Sequence, residues 1–241
     1  MNKKLILLLS ILLGSSIFTA SNAQILISGF MANPPTNNDA PYEYIQLIAT
    51  QNINFASTNY SVVWANNGVA TSDGWIQGGT VTYGFNLTSG TVNKGDVFYV
   101  GGDGKVINGA GSTDISSEIW IRAFNTSLTT GDGFGTNGAI GQMGNGGASA
   151  DGLAVFAGIT QNLTATSIPV DAVFYGTGIN TAKPTTGGYT LPDNDRYSNS
   201  QGTFGNGSNS FLYPNPNVAS SYEKFIGTYF PATNKWDIPR T

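Results

Sequence analysis

After the first two dozen positions, apolar residues recur at every second place and nowhere keep a 3.6-residue period for three turns. A period of two belongs to extended chain, in which successive side chains point to opposite faces. The clearest instance is Val81-Thr82-Tyr83-Gly84-Phe85-Asn86-Leu87-Thr88. Val81, Tyr83, Phe85 and Leu87 share one side, and Thr82, Gly84, Asn86 and Thr88 the other. This predicts a strand with one buried and one wet face. Residues 60–64 and 118–123 alternate less cleanly. Residues 97–100, 153–156 and 172–175 are unbroken apolar runs, which predict strands buried on both faces. Residues 25–30, 43–49 and 224–230 complete the set. Many short strands between Gly, Asn and Pro turns predict an all-β sandwich or barrel.

Residues 1–23 have the form of a secretory signal. Lys3 and Lys4 precede the apolar run 5–13, and Ser21-Asn22-Ala23 offers small residues for cleavage before Gln24. The run is short for the ~30 Å of a bilayer's hydrocarbon core. We therefore expect an exported bacterial protein at the cell surface, in the medium or in the periplasm, with no membrane insertion after cleavage. The formal charge of the whole chain is −4, and loss of the two lysines makes it more negative. Thinly spread acidic charge opposes a nucleic-acid groove, which needs clustered Lys and Arg. With no cysteine, no disulfide can staple the fold, so stability must come from a core.

Glycine, at 32 residues, is concentrated between Gly131 and Gly152. That stretch is too long for a hairpin turn and is expected to be a surface loop held by backbone hydrogen bonds. Residues 181–241, rich in Pro, Asn, Ser and Gly, are expected to form a coil-rich extension packed on the domain of residues 24–180.

The absence of histidine and cysteine removes the Ser-His-Asp triad, imidazole-ligated zinc, thiol nucleophiles and iron–sulfur clusters. Carboxylate pairs remain conceivable, from Glu43, Glu118, or Asp193 with Asp195, as a glycoside hydrolase would need. Strand glutamates facing solvent and a turn at Asp193-Asn194-Asp195 are the plainer readings, and no catalytic residue is assigned. Calcium prefers six to eight oxygens. Asp193 and Asp195, and the Asp-Gly turns at Asp73, Asp103, Asp132 and Asp151, are candidate donors for a structural Ca²⁺; no other cofactor is expected. Gly133-Phe134-Gly135-Thr136-Asn137-Gly138 matches a dinucleotide fingerprint in spacing only, since no strand-to-helix context surrounds it.

Trp120 alternates with Ile119 and Ile121. If both isoleucines face the core, Trp120 shares the outer face with Glu118 and Arg122. The three then make a candidate ligand-binding platform for a sugar or a protein. The other reading puts Trp120 under a loop or the second sheet. Trp64 and Trp75 are expected in core and corner packing, and Tyr44 is open to both readings.

Ile25-Leu26-Ile27-Ser28-Gly29-Phe30-Met31-Ala32-Asn33-Pro34, followed by Tyr42-Glu43-Tyr44-Ile45-Gln46-Leu47, resembles the opening of a lamin-tail-like domain. Gly95-Asp96-Val97-Phe98-Tyr99-Val100 and Val170-Asp171-Ala172-Val173-Phe174-Tyr175-Gly176 resemble two later strands of that family, in the right order. Ser28-Gly29 stands where Asn-Glu is common, and Gln46 where a second Glu is. The resemblance implies an immunoglobulin-like β-sandwich, used by exported bacterial proteins for binding or scaffolding. Together these readings predict a non-enzymatic binding or structural module whose partner is a protein or glycan at the cell surface. The alternative is a carbohydrate-directed protein, lectin-like or a carboxylate-pair hydrolase.

Overall fold

The computed structural model describes residues 24–34, 40–66, 73–79, 81–124, 131–134, 143–144, 150–176, 189–191, 210–212, 222–224, 229–230 and 235–236. The apolar runs become strands: β1 Ile25–Met31, β2 Tyr44–Ala49, β3 Ile53–Asn54, β4 Tyr60–Ala65, β5 Thr82–Leu87, β6 Thr91–Val92 and β7 Val97–Gly102. They continue with β8 Ile119–Phe124, β9 Asp151–Ala157, β10 Asp171–Gly176, β11 Ser210–Leu212, β12 Tyr222–Lys224, β13 Tyr229–Phe230 and β14 Lys235–Trp236. Helical structure among the described residues is confined to 3-10 turns at Ala40–Tyr42, Gly74–Ile76 and Thr160–Asn162. The protein is all-β.

Two five-stranded sheets carry the fold, in the orders β12-β1-β2-β7-β8 and β11-β10-β9-β4-β5. Their inner faces meet in one apolar core. Ile27, Phe30, Ile45, Leu47, Phe98 and Val100 come from the first sheet; Val62, Trp64, Phe85, Leu153, Val155 and Tyr175 come from the second. Interlocking aromatics fill the middle, with Phe30 against Tyr175 at 4.5 Å and Phe85 stacked on Phe124 at 4.5 Å and 8°. A second apolar cluster covers the outer face of the second sheet, where Trp75 stacks on Phe174 at 5.2 Å and Tyr189 meets Trp75 edge-on at 4.7 Å.

Bulges change the phase of two first-sheet strands. In β1, Ile27 pairs with Leu47 and Gly29 with Gln46, so Ser28 is the extra residue. The inward set is therefore Ile25 and Ile27 before the bulge and Phe30 after it. In β8, Tyr99 pairs with Trp120 and Val100 with Arg122, so Ile121 is extra. A bulge of this kind re-aims every side chain beyond it.

Four expectations change. The described ends of the segment 224–230 fall in two different strands: β12 pairs antiparallel with β1, and β13 pairs with β14. The face of β5 expected to be wet is largely covered: Thr82 and Gly84 are buried, Gly84 beneath Phe134 and Thr160, and Asn86 is half-buried. A Cβ on Gly84 would sit 2.4 Å from Thr160 Cγ2, so glycine lets that cover close. The described parts of the glycine-rich stretch are held by backbone bonds to Gly84, as expected, but also by side chains, and part of it is core rather than surface. Met143 is 2 % exposed within the core, and side chains from distant strands hold the segment. Ser210–Leu212, in a stretch expected as coil, supplies a sheet edge as β11, running parallel to β10.

Candidate functional site

Trp120 and Arg122 do not share a face. The extra residue Ile121 leaves Trp120 outward, paired with Tyr99, and turns Arg122 toward the second sheet, paired with Val100. Ile119 is 38 % exposed and Ile121 is half-buried against the core, so the two isoleucines do not act as the matched inward pair that alternation predicts. Glu118 is exposed, just ahead of β8.

Trp120 belongs to a row of side chains crossing the outer face of the first sheet. Ser28 Oγ donates to Gln46 Oε1 at 3.1 Å, and Gln46 Nε2 donates to the Tyr99 hydroxyl at 2.9 Å. Tyr99 stacks on Trp120 at 5.2 Å and 25°, and Tyr44 meets Trp120 edge-on at 5.9 Å. The segment after β7 covers the row. Trp120 Nε1 donates to the Ile115 carbonyl at 2.9 Å, and the Lys105 ammonium lies 5.4 Å from the indole centroid. Tyr44 is buried and gives its hydroxyl proton to the Ile107 carbonyl at 2.7 Å. Burial pushes the Tyr99 hydroxyl's pKa up; the Gln46 hydrogen bond opposes this and the Glu118 charge adds to it. Trp120 is thus packed beneath a loop and already engaged by Tyr99, Ile115 and Lys105.

Arg122 builds the other candidate feature, at the corner where β8, an edge of the first sheet, meets β5, an edge of the second. Its guanidinium forms a fork with Asp132, through Nη1 to Oδ2 and through Nη2 to Oδ1, the latter at 2.8 Å. Nη1 also donates to the Asn86 carbonyl at 2.8 Å. Asp132 Oδ2 accepts the Asn86 N–H at 2.7 Å. The outward backbone groups of Gly84 pair with the same segment, through Gly133 O at 2.9 Å and Asp132 N at 2.8 Å. The free edge of β5 is closed partly by backbone and partly by an ion pair in the role of a neighbouring strand. Burial pushes the Asp132 carboxyl up. Hydrogen bonds from Arg122 and Asn86 N–H, with the guanidinium charge, more than offset this and hold its pKa below the usual carboxylate range.

Over this corner lies an open depression of about 410 Å³ lined by Asn86, Thr88, Ser89, Ile121, Arg122 and Asp132. Sequence reasoning picked out Arg122 and put Asp132 among the oxygen-rich turns, but did not join them. The available signal was an arginine inside a strand of a chain only 10 % charged, which calls for a partner.

Two further acids hold backbone. Glu43 is fully buried and accepts the Met143 N–H at 2.8 Å. Asp171, also fully buried, accepts the Ile27 N–H at 2.7 Å and so ties the second sheet to the bulge of the first. Neither faces solvent, which corrects the plain expectation for Glu43. Asp132 and Asp151 are committed to structure: Asp151 is 2 % exposed, with the Gly144 backbone against its carboxyl. No three acidic side chains gather as a metal site among the described residues. Asp193 and Asp195 lie outside them. Tyr189 is 2 % exposed between Trp75 and Phe174. Among the described residues no helix is long and apolar enough to cross a membrane.

No family model, no curated protein and no solved structure matches this chain.

Proposed function

We propose that this protein is an exported, non-catalytic β-sandwich module that binds or scaffolds at a bacterial cell surface. The observation that carries this reading is the use made of its acids. Glu43 and Asp171 are buried on backbone N–H groups, and Asp132 is locked to Arg122 and Asn86. Carboxylates fixed in this way are not poised as an acid–base pair, whereas glycoside hydrolysis needs two of them facing each other across a cleft, one with a raised pKa.

The finer assignment, an immunoglobulin-like sandwich of the lamin-tail-like kind, is supported by where its motif residues fall. The four quoted stretches lie in and around β1, β2, β7 and β10, and Asp171 of the last holds the bulge of the first. Residues 1–23 act as a cleaved leader in this reading. The lectin-like variant is favoured by one feature, the polar depression beside Arg122.

The test is to express the full chain with its leader and recover the exported product. Its N-terminus should be Gln24, and it should release no reducing sugar from a panel of bacterial and plant polysaccharides. Turnover that disappears in Glu118→Gln would overturn the reading.

A further inference from the structure

We propose that the depression at the β5–β8 corner is a binding site for a neutral, hydroxyl-rich ligand, a saccharide, gripped by Arg122, Asp132, Thr88 and Ser89. This deepens the binding-module reading and rests on it. The lining is chemically mixed in the way a sugar requires. Every sugar hydroxyl is both donor and acceptor, so a site for one must offer both functions side by side. Arg122 supplies donors, Asp132 supplies acceptors, and the Thr88 and Ser89 hydroxyls supply either. Ile121 provides an apolar patch for the C–H face of a ring.

Charge narrows the ligand further. The guanidinium and the carboxylate are already paired, so the site has no net charge to offer. An anionic ligand would have to compete with Asp132 for Arg122, and a cationic one with Arg122 for Asp132. A neutral polyol does neither. It adds hydrogen bonds to the outer sides of a pair whose side chains keep 22 % and 28 % of their surface exposed.

The pair is also preorganised. Asn86 fixes it through its backbone N–H and carbonyl. The Asn86 side chain is in turn held by Thr160 N at 2.8 Å and Gln161 at 3.1 Å. Polar groups held before the ligand arrives spare the ordering cost of binding. The rim keeps its shape through Gly90, which adopts φ +90° and whose missing Cβ would stand 3.2 Å from Ile121 Cδ1. A side chain there would be strained and would push into the apolar patch.

The experiment is a titration of the isotope-labelled chain with glucose, galactose, mannose, cellobiose and lactose up to ~10 mM, a range that reveals weak single-site binding. At least one sugar should shift the amide signals of Thr88, Ser89, Gly90 and Ile121 and leave the Trp120 indole N–H in place. The double variant Thr88→Val/Ser89→Ala, whose exposed positions are not needed for folding, should weaken that sugar about 10-fold or more, as two lost hydrogen bonds would. Shifts centred on Trp120 and Tyr99, or on no coherent surface, would overturn the proposal. So would binding unchanged in the double variant, or no response to any of the sugars. A chain that fails here and still turns over no polysaccharide loses only this site. One that hydrolyses a sugar in the tube loses the non-catalytic reading as well.

Discussion

Two carboxylates in this protein do the same local job in different surroundings. At the β1 bulge, Asp171 accepts the Ile27 N–H at 2.7 Å. At the free edge of β5, Asp132 accepts the Asn86 N–H at 2.7 Å. Asp171 is wholly buried and reaches across from the opposite sheet. Asp132 is 28 % exposed and has an arginine beside it. Within the sandwich, no water can replace a lost acceptor, so the bond's removal leaves a bare donor. At the corner, solvent can take over, and the arginine mainly offsets the carboxylate's charge while capping the Asn86 carbonyl. The same device therefore holds the two sheets together in one place and shields an edge in the other.

The largest expected effect comes from Asp171→Ala. It strands the Ile27 N–H in the core and releases the tie between sheets, at a cost of about 3 kcal/mol. Chemical denaturation should show the midpoint falling with little change in slope. A loss as small as that at the corner would erase the contrast between the two carboxylates. Next is Glu43→Ala, which removes the acceptor for Met143 N and should cost about 2 kcal/mol. Its distinctive readout is hydrogen exchange: the Met143 amide should lose protection before the β2 and β7 ladders do. If β2 melts with it, Glu43 supports the sheet as well as the glycine-rich segment.

The positions of the longer strands were legible in the sequence, and so was the phase of β5, but the phase breaks in β1 and β8 were not. The runs at 25–30, 43–49, 60–64, 81–88, 97–100, 118–123, 153–156 and 172–175 each fall in a strand, because period-two burial is a local signal. The bulges are set by pairing with a neighbour. Ile25 and Ile27 face inward with odd numbers and Phe30 with an even one, a phase break visible only once all three are known to be core. Trp120 and Arg122 have the same parity in sequence, and the extra Ile121 sends them to opposite faces. That one residue moved the site from the tryptophan to the arginine. The partners of the buried acids lie far along the chain, with Glu43 one hundred residues from Met143 and Asp171 one hundred and forty-four from Ile27. No composition or spacing rule pairs residues over such distances.

At the corner, Arg122→Ala should cost only about 1 kcal/mol, the range of a partly exposed ion pair with one added hydrogen bond. Its mark is local, namely faster exchange at Asn86 and Gly84 while the inner strands keep their protection. The double-mutant cycle with Asp132→Ala should give a coupling of about 0.5–1 kcal/mol that shrinks in high salt. The smallest effect is that of pH, and its sign follows from the lowered pKa of Asp132. A carboxyl that ionises more easily folded than unfolded adds stability above its unfolded pKa of about 3.9, and that contribution fades as pH falls through the lower folded value. Between pH ~7 and ~5 the corner should therefore be insensitive to pH, since Asp132 is ionised in both states throughout that range. Below pH ~4 the Asn86 amide should lose protection, and in Asp132→Asn it should not respond to acid at all. A midpoint for Asn86 exchange above pH ~4 would mean that burial outweighs the guanidinium at this carboxylate.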